Sequence, residues 1–131
     1  MPDIHVSAAL ILDASSRLLV VRKHGTRGFM QPGGKPEPGE SAAETLAREL
    51  AEEVGIDAPV SALHPLGTFR SPAANERGFT VVADVFELGD VDSVRVGAEI
   101  AEARWLSRTD AESLGENLAP LIREHFLDRL G

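Results

Sequence analysis

The sequence predicts an α/β fold with a mixed β-sheet, and three observations support this prediction. The chain has 131 residues, of which 43% are hydrophobic; this length suits one core and is too short for two separate ones. Segments rich in aliphatic and β-branched residues lie both before and after one amphipathic helical segment. A second amphipathic segment closes the chain. Strands on both sides of a central helix indicate stacked layers, and we expect residues 1–131 to form one domain.

The first half of the chain contains two predicted strands and a long loop. The strands are expected at residues 4–12 and 18–21, and the intervening Asp-Ala-Ser-Ser of residues 13–16 has the composition of a turn. These segments are therefore predicted to form a hairpin. Residues 24–40 contain five glycines and three prolines, which predicts irregular backbone.

The central helix is predicted at residues 41–54. Ser41 stands three residues before Glu44, which is the spacing of a capping box. Gly55 occupies the position at which a glycine commonly ends a helix. We expect later strands at residues 60–70, 78–88 and 103–106, and a final helix at 118–130. In that helix one apolar stripe would comprise Leu118, Leu121, Ile122, Phe126 and Leu130.

Charge and composition exclude several classes of function. The chain has 13 basic and 21 acidic residues, a net charge of −8, which argues against broad binding to duplex nucleic acid. The absence of cysteine excludes disulfides, thiolate metal sites and cysteine nucleophiles, and it suits the cytoplasm. The apolar run at residues 8–12 is too short to cross a membrane, and no signal peptide is visible. We therefore expect a cytoplasmic protein without a membrane partner.

Three acidic residues of the central helix form a candidate metal site. At about 100° per residue, Glu49, Glu52 and Glu53 share an arc of about 100° beside the apolar stripe. Carboxylates this close repel one another unless a cation lies between them, and oxygen ligands suit Mg²⁺ or Mn²⁺. The alternative is a solvated acidic face, in which Arg48 pairs with Glu52 one turn later.

The surrounding motif resembles the signature of the Nudix hydrolases. It reads Gly34-x5-Glu40-x7-Arg48-Glu49-Leu50-x-Glu52-Glu53-x-Gly55-Ile56 and agrees with that signature at every fixed position. The resemblance implies an α/β/α sandwich with a mixed sheet. It also implies hydrolysis of a nucleoside diphosphate linked to another group, with Mg²⁺ or Mn²⁺ as cofactor.

The resemblance implies roles for the acids of the motif. Glu49 and Glu53 would bind the metal directly, and Glu52 would be a further ligand or a base acting through water. All three are therefore candidate catalytic residues. A backbone carbonyl at Gly33 is another candidate metal ligand, because glycine permits the tight turn that brings this loop against the helix.

Other residues of the motif would have structural roles. Glu40 would support the site from the loop, and Arg48 would hold carboxylates in place rather than touch the substrate. Gly34 would permit the tight turn of the loop, and Gly55 would end the helix.

Outside the motif, a further acidic metal ligand is expected by resemblance to the MutT-like branch of the family, where one precedes a strand tryptophan. Glu99 stands six residues before Trp105 and matches that placement, and Glu102 is its rival. The alternative for either residue is a surface glutamate.

Four residues are candidates for substrate binding. Arg22, Lys23 and Lys35 are the cations nearest to the site in sequence, and one of them could bind a terminal phosphate; otherwise they are solvated side chains. Asn117 resembles in position an asparagine that reads the purine in the MutT-like branch. The alternative for Asn117 is an N-cap of the last helix.

Several substrate classes remain open. The short chain favours a nucleoside triphosphate pyrophosphatase, with damaged nucleotides among the candidate substrates. Pro72, preceded by Ser71, is similar to a proline that marks ADP-ribose pyrophosphatases, which makes ADP-ribose or a nucleotide sugar the alternative. The chain has no tyrosine of the kind associated with dinucleoside polyphosphate hydrolases and no cysteine for isoprenoid diphosphate isomerisation. A non-catalytic nucleotide-binding module is the alternative of another class. The expected partner is a small nucleotide, bound by a monomer or homodimer.

Overall fold

The structure is a computed structural model that describes residues 2–74, 76–89 and 91–131. The six strands are β1 (Asp3–Ile11), β2 (Leu18–Lys23), β3 (Gly33–Gly34), β4 (His64–Pro72), β5 (Thr80–Leu88) and β6 (Ile100–Leu106). The three α-helices are α1 (Ala42–Val54), α2 (Arg108–Leu114) and α3 (Pro120–His125). Short 3₁₀ turns occur at Val60–Ala62, Gly115–Asn117 and Leu127–Arg129. Among the helices formed by these described residues, none has the length and apolarity needed to span a membrane.

The strands form two sheets. The larger sheet has the order β3-β1-β5-β4, in which β1 runs parallel to β5 and the other pairs are antiparallel. The smaller sheet pairs β2 with β6 in antiparallel register, with Leu19 opposite Trp105. The predicted α/β fold with a mixed sheet is therefore confirmed.

Hydrophobic cores lie on both faces of β1. Leu10 belongs to the core beneath α3, and its neighbour Ile11 belongs to the core beneath α1, because successive strand residues point to opposite faces. Strand β2 is shared in the same way, with Val20 in the first core and Val21 in the second. Strands buried on both faces read as continuous apolar runs, which explains the sequence pattern of both segments.

The predicted hairpin of residues 4–12 and 18–21 is wrong, because β1 and β2 belong to different sheets. Leu12 and Leu18 form an isolated bridge at the turn. Strand β1 instead pairs with β5 over its full length, with Asp3 opposite Thr80. The physical reason is that each strand is apolar on both faces, so each needs a partner strand as well as a helix above or a sheet below.

The end of the chain also differs from the prediction. The helix expected at residues 118–130 is restricted to α3 and a following 3₁₀ turn, since Ala119 is the N-cap and Phe126 leaves the helical conformation with φ −125°. The predicted apolar stripe is nevertheless buried. Helix α2 was not predicted, although Ser107 and Asp110 form a capping box that marks its start.

The strands also differ from the prediction in their boundaries and number. Strand β4 begins at His64 rather than at residue 60, because Val60–Ala62 form a 3₁₀ turn. Strand β6 begins at Ile100, three residues before its predicted start. Strand β3 lies within the segment predicted to be irregular loop.

Candidate active site

Helix α1 carries the acidic residues and has the ends that were predicted. The Ser41 hydroxyl accepts a hydrogen bond from the Glu44 amide at 3.1 Å, and the Glu44 carboxylate accepts one from the Ser41 amide at 2.9 Å. At the other end, Gly55 has φ 67° and its amide donates to the Leu50 carbonyl. The capping box and the glycine thus fix which turn of the helix presents the glutamates.

Glu53 is a buried carboxylate in the last turn of α1. It is 4% exposed, and its Oε1 accepts a hydrogen bond from the Gly33 amide at 2.9 Å. Burial raises the pKa of Glu53 to about 7, and the neighbouring Glu49 charge acts in the same direction. The Gly33 amide and Lys23 partly oppose this increase in pKa. A carboxylate in this environment binds a proton or a cation more readily than a solvated one.

Glu49 lies beside Glu53 and is held from two directions. Its carboxylate accepts a hydrogen bond from Arg48 Nη1 at 2.8 Å. It also lies against Gly34, where a Cβ atom would be 2.6 Å from the Glu49 carboxyl carbon. Burial raises the pKa of Glu49, whereas Arg48 opposes that increase. A side chain at residue 34 would therefore displace the Glu49 carboxylate from this position.

Gly33 and Gly34 form β3 and pair with Ser7 and Ala8 of β1. Gly33 has φ 155°, and a Cβ atom on it would collide with the Ser7 carbonyl oxygen. This close approach draws the loop onto β1 and directs the Gly33 amide to Glu53.

Glu52 lies apart from the other two acids. Its side chain is 59% exposed, against 15% for Glu49, and its closest described cation is Arg48 Nη1 at 3.4 Å. Within the described parts of the chain, no three acidic or histidine side chains are gathered closely enough to form a ready-made metal site. The acids are held by different partners: Arg48 contacts Glu49 and Glu52, and the Gly33 amide contacts Glu53.

Arg48 fastens the loop to the helix. Its Nε and Nη2 bind the two carboxylate oxygens of Glu40 at 2.7 and 3.0 Å, and Nη2 also donates to the Lys35 carbonyl at 3.1 Å. The hydrogen bonds from Arg48, and one from the Glu37 amide, lower the pKa of Glu40 to about 2. This pair thus joins the loop to α1, and the structural roles implied by the motif for both residues stay predictions.

A cavity of about 440 Å³ opens beside this network. One part of its wall is charged and includes Lys23, Lys35, Glu49 and Glu99. Another part of the wall is aliphatic and comes mainly from β1, β5 and the start of α3, with Ile4, Val6, Val81, Pro120 and Leu121. The cavity therefore combines a polar end beside the acids with an apolar end.

Two of the predicted substrate ligands line this cavity, together with the metal ligand predicted outside the motif. Lys23 and Lys35 both line it, and Lys35 Nζ is 3.9 Å from Glu76 Oε1. Glu99 lines it too, and its charge contributes to the raised pKa of Glu53. The rival Glu102 instead binds Arg22 at 3.1 Å and another arginine at 2.9 Å.

Arg22 and Asn117 lie outside the residues that form the cavity wall. Arg22 binds Glu102 and the Thr26 carbonyl, with its guanidinium 6.0 Å from the centre of the Phe29 ring. Asn117 is exposed, and its carbonyl accepts a hydrogen bond from the Phe29 amide at 2.7 Å. The interpretation of Asn117 as an N-cap is wrong, because Ala119 holds that position in α3.

Gln31 is among the cavity residues that the sequence reasoning missed. Gln31 is 5% exposed and lines the cavity. Its Nε2 donates to the Ala9 carbonyl at 2.9 Å, whereas its Oε1 has no hydrogen-bond partner among the described residues. A polar residue between Met30 and Pro32 was the available signal.

Comparison with known proteins identifies the family. The family model of the NUDIX domain matches residues 1–129. The chain belongs to the Nudix family. The resemblance seen in the motif and the expected hydrolase class are therefore confirmed, and Glu49, Glu52 and Glu53 are the acids of the Nudix motif.

Several known proteins are similar to this chain over most of its length. A putative 8-oxo-dGTP diphosphatase of Bacillus subtilis is 29% identical over 98 residues, which are 75% of this chain and 62% of that protein. An ADP-ribose pyrophosphatase of Methanocaldococcus jannaschii is 28% identical over 120 residues, which are 88% of this chain and 69% of that protein. The asymmetrical bis(5'-nucleosyl)-tetraphosphatase of Sus scrofa is 36% identical over 103 residues, 76% of this chain and 69% of that protein. The chain thus spans about two thirds of their length, and slightly less for the Bacillus protein.

A solved structure supports the fold. The crystal structure of a MutT protein from Methanosarcina mazei Go1 matches this chain with a TM-score of 0.75 and 31% identity. The match covers 98% of this chain and 92% of that one. The Nudix fold therefore extends over nearly all of the sequence.

Proposed function

We propose that this protein is a Mg²⁺-dependent hydrolase that cleaves the diphosphate linkage of a nucleoside diphosphate derivative, acting on nucleoside triphosphates as a pyrophosphatase. The observation that carries the proposal is the composition of one cavity wall. Glu49 lies there with Lys23 and Lys35, and Glu53 is bound to Gly33 of the same wall. Acids that can hold a cation and lysines that can hold phosphate thus share one cavity.

The residues present fit a hard divalent cation. Burial raises the pKa of both Glu49 and Glu53, so two adjacent carboxylates are held where their charge is poorly solvated. Oxygen ligands of this kind suit Mg²⁺ or Mn²⁺. Glu49 and Glu53 would hold the ion, with Glu99 as a further ligand. When bound, such an ion neutralises phosphate oxygens and lowers the pKa of water.

Other side chains of the chain would bind phosphate, support the site and accept a proton. Lys23 and Lys35 would bind phosphate oxygens, since both are at the cavity wall. Arg48 is occupied by Glu40 and Glu49 and would hold the site's shape. Glu52, with its exposed side chain, would accept a proton from water, because solvent can carry that proton away.

Hydrolysis of ADP-ribose or a nucleotide sugar is the second candidate. Pro72, which suggested this class in the sequence, lies at the cavity wall, and one relative is named an ADP-ribose pyrophosphatase. A purely nucleotide-binding role is disfavoured, because Glu40, Glu49, Glu52 and Glu53 are all present.

A substrate panel tests the proposal. Nucleoside triphosphates, damaged triphosphates, ADP-ribose and nucleotide sugars would be incubated with Mg²⁺ in ¹⁸O-labelled water, and products identified by mass. We expect labelled monophosphate or pyrophosphate from a triphosphate, and no turnover by Glu53→Gln. Cleavage of ADP-ribose alone would select the second candidate. Binding without turnover of any compound would contradict hydrolysis.

A further inference from the structure

The carboxyl end of α1 is covered by residues 95–97, a segment of the connection between β5 and β6. The Arg95 amide donates to the Val54 carbonyl, and the Gly97 amide donates to the Glu53 carbonyl, both at 2.9 Å. These two carbonyls would otherwise lack partners, because the last carbonyls of a helix have none within it. The segment therefore binds the backbone of the turn that carries Glu53.

Gly97 approaches the helix closely enough to exclude any side chain. A Cβ atom on Gly97 would collide with the Glu52 carbonyl oxygen and lie 3.7 Å from the Glu53 Cα. Gly97 is not among the glycines with positive φ. Space alone, rather than backbone conformation, thus requires glycine at this position.

The two amide contacts reduce the negative electrostatic potential at the carboxyl end of α1. The carboxyl end of a helix carries partial negative charge, and here its last turn has no basic residue and contains Glu52 and Glu53. The amides of Arg95 and Gly97 place two partial positive charges on the carbonyls of that turn. They therefore offset part of the repulsion between the helix end and its own acids.

The same segment leads directly to Glu99. The Ile100 amide donates to the Gly97 carbonyl at 3.1 Å, and the Glu99 carbonyl accepts from the His24 amide at 3.1 Å. Glu99 is thereby held between the end of α1 and the end of β2, beside Lys23. Its placement at the cavity wall follows from these backbone contacts.

We propose that Gly97 is a positioning residue: its docking on α1 sets the distance between Glu99 and Glu53, and hence the affinity of the site for a divalent cation. This inference rests on the proposed function, since it assigns Glu99 to the cation. Glycine at residue 97 is then needed for metal binding beyond its contribution to the fold.

The test compares Gly97→Ala with Gly89→Ala, a matched control in which the added Cβ meets nothing within 4 Å. Mn²⁺ binding would be measured by electron paramagnetic resonance, which needs no substrate, together with the Mg²⁺ dependence of turnover. We expect about 10–100-fold weaker cation binding in Gly97→Ala, the usual effect of losing a residue that orients a ligand. Gly89→Ala should bind as the wild type does. Unchanged binding in folded Gly97→Ala would overturn the inference.

A double-mutant cycle with Glu99→Gln separates positioning from general damage. If Gly97 acts through Glu99, the double variant should bind Mn²⁺ no more weakly than Glu99→Gln alone. Additive losses would reject the proposal. If Gly97→Ala does not fold, Arg95→Pro removes the other amide donor and should weaken Mn²⁺ binding; failure of both variants to fold would also reject it. Wild-type protein that binds Mn²⁺ but cleaves nothing would contradict the proposed function alone.

Discussion

Arg48 binds both carboxylate oxygens of Glu40, at 2.7 and 3.0 Å, and so joins the glycine-rich loop to α1. This bidentate arrangement restricts rotation of both groups and is stronger than a single neutral hydrogen bond. The same guanidinium reaches Glu49 at 2.8 Å. Loop geometry and carboxylate position are therefore set by one side chain.

Glu40→Gln should weaken the fold in a pH-dependent manner. The pKa of Glu40 is lowered from 4.5 to about 2 in the folded protein, so its stabilising contribution is present above about pH 4.5 and is lost as the pH falls towards 2. Thermal unfolding at pH 7 and pH 3 should show a melting temperature several degrees below wild type at pH 7 and a smaller difference at pH 3. Equal differences at the two values would contradict this pairing. Glu116→Gln, which removes an exposed carboxylate in the 3₁₀ turn Gly115–Asn117, is the surface control.

Glu53→Gln should abolish turnover while stabilising the metal-free protein at alkaline pH. The pKa of Glu53 is raised from 4.5 to about 7 when folded, so ionised Glu53 destabilises the fold increasingly between these values, by about 3 kcal/mol above pH 7. The glutamine variant removes this penalty and keeps an acceptor for the Gly33 amide. Urea unfolding should therefore show a gain at pH 8 and little change at pH 4. A variant less stable than wild type at pH 8 would refute the assignment.

Addition of Mg²⁺ should raise the melting temperature of the wild type more at pH 8 than at pH 5.5. Cations compete with protons for Glu49 and Glu53, whose pKa values are both raised by burial, and a ligand that binds the folded state stabilises it. Chelation with EDTA should reverse the shift and stop turnover. The Glu53→Gln variant should show a much smaller shift. An equal shift at both pH values would contradict cation binding at these acids.

Lys23→Met and Arg22→Met form a matched pair on one strand. Lys23 lines the cavity, whereas Arg22 binds Glu102 and the Thr26 carbonyl. Loss of Lys23 should raise KM for a nucleotide about tenfold, since one charge-assisted phosphate contact is removed. Loss of Arg22 should lower thermal stability and leave KM unchanged. KM would be measured by steady-state kinetics. A raised KM for Arg22→Met with an unchanged KM for Lys23→Met would show that Arg22, not Lys23, binds the substrate.

The local signals of the sequence predicted α1 and its acids well. The capping box at Ser41 and the glycine at residue 55 are local chemical features, and they specify helix ends without knowledge of the rest of the fold. The helical spacing placed Glu49 and Glu53 together, as the structure has them. It also placed Glu52 with them, whereas Glu52 is largely exposed, because spacing alone does not show which edge of the helix the loop covers.

Contacts between residues far apart in the sequence could not be predicted from these local signals. The pairing of β1 with β5 depends on a match of two apolar strands far apart in sequence, and a nearby turn favoured the wrong partner. The ion pair of Arg22 with Glu102, the cavity position of Gln31 and the docking of Gly97 all depend on contacts between distant segments. In each case the sequence gives the residue type but does not show which distant residues it contacts.

The parallel pairing of β1 with β5 has a consequence for biosynthesis. Asp3 lies opposite Thr80, so the amino-terminal strand emerges from the ribosome long before its neighbour in the larger sheet exists. Until then, Leu10 and Ile11 expose hydrophobic surface on both faces of an unpaired strand. Chains in this state tend to aggregate or to bind chaperones. We therefore expect the yield of soluble protein in cells to depend on how quickly translation reaches β5.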